Sequence, residues 1–219
     1  MAKAVTPSLA LYEPLLRKLL ADMPHFDVSV TLANIILSAD FEGTVPESIL
    51  RTIESEEKTS RLGSRLGAHC IKIDGCNIIV FNRTRKLMCV CSADVSTGRA
   101  ALFKLKHVLA TQGVADFSIT RIKVTNIAFA GCFGRKVDLV QLEETKPGII
   151  ATYERCPDFA IRVAGRYLIL FHGGKFTLPG VTAIEEGIRV IAEAYRLLWP
   201  FFGDEAAHDK DSVILTHSH

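Results

Sequence analysis

Leu32-Ala33-Asn34-Ile35-Ile36-Leu37 returns 92 residues further along as Val124-Thr125-Asn126-Ile127-Ala128-Phe129. Ile78-Ile79-Val80-Phe81 returns as Leu168-Ile169-Leu170-Phe171 at an offset of 90, and Lys86-Leu87-Met88-Cys89 as Lys175-Phe176-Thr177-Leu178 at 89. Order and spacing both hold. A period of this length exceeds the roughly 20–50 residues of solenoid units and suits a duplicated domain half. The expected organisation is a helical extension over 1–26, repeats over 27–116 and 117–202, and a polar tail over 203–219.

Outward from the repeated segments, each half follows one plan: an alternating strand, a helix, several short strands and a longer closing helix. In the first half, Thr44-Val45-Pro46-Glu47 reads as a capping box opening a helix to about Glu57. Strands are expected near 67–73, 76–81 and 86–92, and a helix over 96–112 before Gly113. In the second half, a helix is expected over 137–144, strands near 159–164, 166–172 and 175–179, and a helix from a second capping box at Thr182-Ala183-Ile184-Glu185 to Trp199. Short antiparallel strands with helices grouped on one face make an α+β sheet. Ahead of the repeats, Thr6 and Pro7 start a helix over 6–23 whose leucines share one face. That face is expected to pack on the first half or on a partner.

The strands are apolar on both sides. Leu87, Cys89 and Cys91 point one way and Met88 and Val90 the other; Ile35 and Leu37 share a face, as do Asn34 and Ile36. Helices on one side can cover only one of these faces, and an antiparallel sheet otherwise turns polar residues to water. The second face is therefore expected to meet a partner, with the 6–23 helix or a second copy of the chain (a homodimer through that face) as the alternatives.

Lys and Arg total 26 against 24 Asp and Glu, a formal net charge of +2. Nine of the basic residues (Arg61, Arg65, Lys72, Arg83, Arg85, Lys86, Arg99, Lys104, Lys106) fall between Arg61 and His107, opposed only by Asp74 and Asp94. This points to a localised anion-binding region. The six cysteines (Cys70, Cys76, Cys89, Cys91, Cys132, Cys156) form no CxxC pair and lie in apolar runs. They read as buried reduced thiols of a cytosolic or nuclear protein, with no metal expected. The three histidines His208, His217 and His219 read as part of a solvated tail. There is no signal-like opening and no apolar run of bilayer-spanning length, so no membrane is expected as a partner.

The Asn-Ile strand starts, the apolar-Phe-then-basic hairpins, the long closing helices and Tyr153-Glu154 before Pro157 together resemble the TATA-box-binding protein core, over about Val28 to Phe202. The resemblance implies a pseudo-symmetric ten-stranded antiparallel saddle. Four helices would lie on its convex side, and its concave face would sit on the minor groove of A·T-rich double-stranded promoter DNA. It further implies a nuclear transcription initiation factor that nucleates a preinitiation complex with general transcription factors and needs no cofactor. Asn34 and Asn126 match the asparagines that reach minor-groove acceptors. Ile36, Met88, Val90, Ala128, Thr177 and Pro179 match the apolar lining, and Arg65, Lys72, Lys86, Arg162 and Lys175 match residues near phosphates. Phe81 and Phe171 match the second of two wedge phenylalanines in each half, whereas the first of each pair falls on Leu66 and Cys156, a departure that weakens insertion. Two further family lysines fall on Ala93 and Thr182, and the glycine after the last strand survives as Gly180 but becomes Cys91 in the first half.

Arg99, Lys104 and Lys106 on the first closing helix match a partner-binding basic surface. The loop at Glu154 and Arg155 matches a shortened acidic contact for another factor. An alternative of the same fold is an interaction scaffold in a promoter complex that has lost strong DNA binding. No metal spacing, nucleophile elbow or phosphate loop favours an enzyme; Gly173-Gly174-Lys175 is a hairpin turn with no helix opening after it.

Overall fold

The first repeated segment lies in a strand of 14 residues, β1 (Ser29–Glu42), and its counterpart in one of 15, β5 (Ser118–Cys132). The two pair antiparallel at the centre of the sheet. Ile35 stands opposite Ile127, Asn34 opposite Ala128 and Ile36 opposite Asn126. Each of these residues also matches another at an offset of 92, so the pairing exchanges the two segments, with a pseudo-twofold axis through the Ile35–Ile127 pair. Register shifts between Leu32 and Asn34, Ile36 and Leu37, and Ser38 and Asp40 interrupt the ladder. Each bulge bends and twists the central pair.

The structure is a computed structural model, described for residues 13–23, 27–54, 68–91, 94–146, 150–152 and 159–206. Beside β1 the first half adds β2 (His69–Ile73), β3 (Cys76–Phe81) and β4 (Lys86–Cys91). Beside β5 the second half adds β7 (Ile150–Thr152), β8 (Phe159–Val163), β9 (Arg166–Leu170) and β10 (Lys175–Val181). Among the described residues these make a nine-stranded sheet in the order β2-β3-β4-β1-β5-β10-β9-β8-β7. The implied saddle has ten; the stretch between α2 (Glu47–Ile53) and β2 lies outside the described residues. A separate two-stranded sheet joins β6 (Arg135–Val137) to β11 (Phe202–Ala206). Two expectations change here: Val137 belongs to a strand rather than opening a helix, and the segment after Phe202 begins as a paired strand rather than a free tail.

Helices α3 (Val95–Thr111) and α5 (Ile184–Leu198) cover one face. Under α3 lie Ile35, Leu37, Ile78, Val80, Leu87 and Cys89, and under α5 lie Ile127, Phe129, Leu168, Leu170 and Leu178, all buried. Cys70, Cys76, Cys89 and Cys91 are buried, as expected, and Cys132 is half-buried; Cys156 lies outside the described residues. Burial pushes the Cys89 thiol up to about 11, which keeps it an inert hydrophobe. α4 (Leu139–Thr145) is capped by Asp138, which accepts from the Gln141 N–H at 2.9 Å.

The expected capping boxes do not form. α2 follows Pro46 without a side-chain cap. At α5 it is Glu186, one residue later than expected, whose carboxylate accepts from the Thr182 N–H at 3.2 Å. The side-chain cap of α3 is instead Asp94, which accepts from the Thr97 N–H at 2.7 Å. Hydrogen bonds from the Ser96 hydroxyl and the Thr97 N–H hold the Asp94 carboxyl below its ordinary range.

α1 (Glu13–Leu19) packs on α5, in the second half rather than the first. Leu16 and Leu20 are buried, and Arg196 donates to Asp22 at 2.7 Å and to the Leu19 carbonyl. It therefore lies in the helix layer, and no described element covers the opposite face of the sheet. Leu20→Ala is expected to lower stability by about 2–4 kcal/mol through the cavity it leaves, read as a fall in the urea midpoint at unchanged slope.

Each long helix approaches its own central strand through a glycine. A Cβ at Gly98 would stand 2.7 Å from Leu37 Cδ1, and one at Gly187 would overlap the Phe129 ring. These four positions are two matched pairs, since Leu37 and Phe129 are 92 apart and Gly98 and Gly187 are 89 apart. Gly187→Ala is expected to destabilise by about 1–3 kcal/mol despite alanine's better helix propensity, because an aromatic ring cannot yield as a leucine methyl can. Gly98→Ala should cost less. Urea unfolding of the two variants side by side checks the difference.

Candidate nucleic-acid interface

Strand alternation carries every second residue to the uncovered face. From the first half come Asn34, Ile36, Ser38 and Asp40 on β1, Met88 and Val90 on β4, Asn77, Ile79 and Phe81 on β3, and Lys72 on β2. From the second come Asn126, Ala128 and Ala130 on β5, Thr177 on β10, Ile169 and Tyr167 on β9, and Arg162 on β8. Cross-strand register joins them into rows: Asn77–Val90–Ile36–Asn126 and Ile79–Met88–Ser38 run over the first half, and Ala130–Thr177–Ile169–Ala160 over the second. These side chains are mostly half-buried although no described element covers them, because neighbours on a concave sheet shield one another.

The expected lining residues Asn34, Ile36, Met88, Val90, Asn126, Ala128 and Thr177 thus share one face. Phe81 ends β3 and Phe171 directly follows β9, the matching strand of the second half; Phe81 is half-buried, and Phe171 is 38% exposed. Lys86 stands directly across from Phe81, and the Phe171 N–H donates to the Lys175 carbonyl at 2.9 Å, so each ring has a lysine beside it on the hairpin. Lys72 and Arg162 are exposed on the outer strands, opposite Asn77 and Tyr167. Of the remaining expected site residues, Arg65, Leu66, Glu154, Arg155 and Cys156 lie outside the described residues.

Arg99, Lys104 and Lys106 are exposed on α3, on the opposite side of the molecule. Lys104 is tied to Asp74 at 2.6 Å, and Phe103 lies beside them at 58% exposed. The basic cluster read in the sequence is therefore divided between two faces: Lys72 and Lys86 sit at the open face, the α3 residues sit behind it, and Arg83 and Arg85 are exposed on the hairpin between.

Sequence reasoning passed over Ile79 and Ile169, which stand at matched positions two residues before the phenylalanines and whose alternation with Phe81 and Phe171 marks them for the same face. It also passed over Asp40. That carboxylate lies across from Lys86 on the open face and pairs with Arg121 at 3.5 Å. A negative charge there opposes a polyanion. Asp40→Asn is expected to delay elution from a heparin column to higher salt, by about one ion's worth of salt dependence.

A small hollow of about 310 Å³ opens on the second half between Gly165, Arg166, Tyr167, Ile169, Pro179 and Gly180. Arg166 is anchored at its edge by Glu186, whose carboxyl the guanidinium's hydrogen bonds hold below its ordinary range. Among the described residues no cluster of His, Cys, Asp or Glu could hold a metal, and no helix is long and apolar enough to cross a membrane.

Among solved structures, the chain superposes on the TBP of Methanococcus jannaschii with a TM-score of 0.59 at 13% identity, over 78% of this chain and 98% of that one. The fold is TBP-like. A heterotetrameric sarcosine oxidase from Corynebacterium matches with a TM-score of 0.35 at 10% identity, over 90% of this chain and 96% of that one, too loosely to carry an argument. No family model and no curated protein matches the sequence.

Proposed function

We propose that this protein binds double-stranded DNA in the minor groove through its open face, as a non-enzymatic, TATA-box-binding-protein-like initiation factor of the nucleus. Its saddle is built of repeats over 27–116 and 117–202. One observation carries this reading: a concave sheet face that no described element covers holds an asparagine on either side of its pseudo-twofold axis among apolar side chains, with Phe81 and Phe171 at its ends and Lys72, Lys86, Arg162 and Lys175 exposed along it. An apolar face suits the sugar walls of a minor groove, amide donors suit the acceptors of A·T pairs, and rings at the ends suit wedging between base steps. Cations along the edges suit phosphates.

Partner factors would meet the opposite side, where Arg99, Phe103 and Lys106 are exposed on α3, and the loop carrying Glu154 and Arg155. With Leu66 and Cys156 in place of large rings, and Asp40 on the binding face, affinity and bending should be weaker than in a family member with four wedge rings.

Titration of an A·T-rich duplex at several salt concentrations, with dye pairs at the duplex ends, tests the proposal. Phe81→Ala and Phe171→Ala are expected to reduce the bend with little change of salt slope. Lys86→Ala and Lys175→Ala should each lower affinity and flatten the slope by about one ion. Negligible parent affinity at moderate salt, unchanged by all four substitutions, would instead make the chain a scaffold recruited through its partners.

A further inference from the structure

Asn34 and Asn126 are matched in sequence but not in what lies behind them. In the second half β10 follows β5 as far as Leu178 opposite Phe129, then slips before Val181 opposite Ile127. Pro179 and Gly180 form the bulge. Gly180 takes a φ of +83°, a conformation that glycine adopts without the penalty a Cβ would add. Its N–H, released from the ladder, donates to Asn126 Oδ1 at 2.8 Å. With its oxygen so engaged, the Asn126 amide must offer its NH2 group to whatever occupies the open face.

Among its described residues the first half has no such device. Cys91 stands where the repeat would place Gly180, and it stays in the ladder opposite Ile35, with β1 and β4 paired without a slip from Ile35–Cys91 to Asp40–Lys86. No N–H is released. Asn34 Oδ1 is buried without a hydrogen-bond partner in the structure. An amide whose inward oxygen meets no donor gains nothing from that orientation, so turning it over exchanges the outward group without breaking a hydrogen bond.

We infer that the two halves read base pairs by different rules: Asn126 is a fixed donor selective for A·T, and Asn34 is an adaptable amide that accepts A·T or G·C. The inference rests on the minor-groove reading above. A·T and T·A pairs present only acceptors in that groove, while a G·C pair adds the guanine N2 amino donor. The pinned NH2 of Asn126 would meet that amino group donor to donor. Asn34, turned over, would accept from it. The glycine bulge is thus the specificity-determining element, and its replacement by an in-register cysteine relaxes one half of the site.

Three duplexes that differ only at the two positions beside the centre separate the possibilities: A·T on both sides, G·C on one, and G·C on both. Each is titrated with the full chain by fluorescence anisotropy at one salt concentration. Because the protein can orient Asn34 over a single G·C pair, the first two duplexes are expected to bind within about threefold of each other. The third should bind at least about tenfold more weakly, the low end of the discrimination that base-edge contacts provide. Asn126→Ala should erase that loss, and Asn34→Ala should preserve it, in variants whose circular dichroism and urea midpoints match the parent. Equal losses at each G·C pair, no loss at either, or erasure by Asn34→Ala rather than Asn126→Ala would overturn the inference while leaving minor-groove binding standing. Failure to bind any of the three duplexes saturably would remove the minor-groove reading itself, and this inference with it.

Discussion

The antiparallel pairing of β1 with β5 is the contact on which the rest of the molecule depends. It joins segments 92 residues apart, and its register at Ile35–Ile127 sets where every other strand of both halves must lie. A slip of one residue in β1 would carry Ile35 and Leu37 out of the core and turn Asn34 under the helices, and the same slip in β5 would do so for Ile127, Phe129 and Asn126. The register is held from the helix side, where Gly98 admits Leu37 and Gly187 admits Phe129 at close approach. The bulges along the pair absorb the mismatch between a continuous ladder and a bent sheet.

That arrangement also fixes which chemistry faces outward. Helices α3 and α5 cover one face of the sheet and α1 lies on α5, so no described element reaches the other face. The open face keeps apolar side chains that a solvated sheet would have replaced with polar ones, and their concave arrangement limits how much of each meets water. Its polar groups are placed at particular points: two asparagines at the axis, Ser38, Asn77 and Thr177 among the apolar side chains, lysines beside the phenylalanines at the hairpins, and cations on the outer strands. Asp40 is the exception in sign, partly offset by Arg121 and by Lys86 across the strand.

The halves have diverged where their backbones differ, more than where their side chains do. The first hairpin turns through a 3-10 helix over Asn82–Thr84 with Arg85 left-handed at φ +53°, and the second through Gly173 and Gly174. The strand that follows runs straight into Cys91 in one half and bulges at Gly180 in the other. A single backbone N–H, freed or retained, then decides whether an otherwise identical asparagine has an internal partner. Divergence of this kind leaves the fold's symmetry intact while removing the symmetry of its surface.

Much of this was legible in the sequence. The repeat offsets, the two-faced strands and the placement of Asn34, Ile36, Met88, Val90, Asn126, Ala128 and Thr177 on one face follow from period-two alternation, a local property that each strand carries by itself. Side-chain capping and charge were less legible, because both depend on where atoms fall in three dimensions. Thr44 and Glu47 have the spacing of a capping box, yet Pro46 ends up at the start of α2. Nine clustered cations look like one patch, yet those among the described residues are divided: Lys72 and Lys86 stand at the open face, Arg83 and Arg85 on the hairpin, and Arg99, Lys104 and Lys106 on α3 beyond the crossover at Asp94. The docking of α1 on the second half required Asp22 and Arg196 to meet across 174 residues. The sequence by itself determined the duplication, the two faces and the residues on each. Only the tertiary structure decided the register through Ile35–Ile127, the pinning of Asn126 by Gly180 and the separation of the basic groups, since pairing register, bulges and long-range contacts are set by packing between segments and not by the pattern within any one of them.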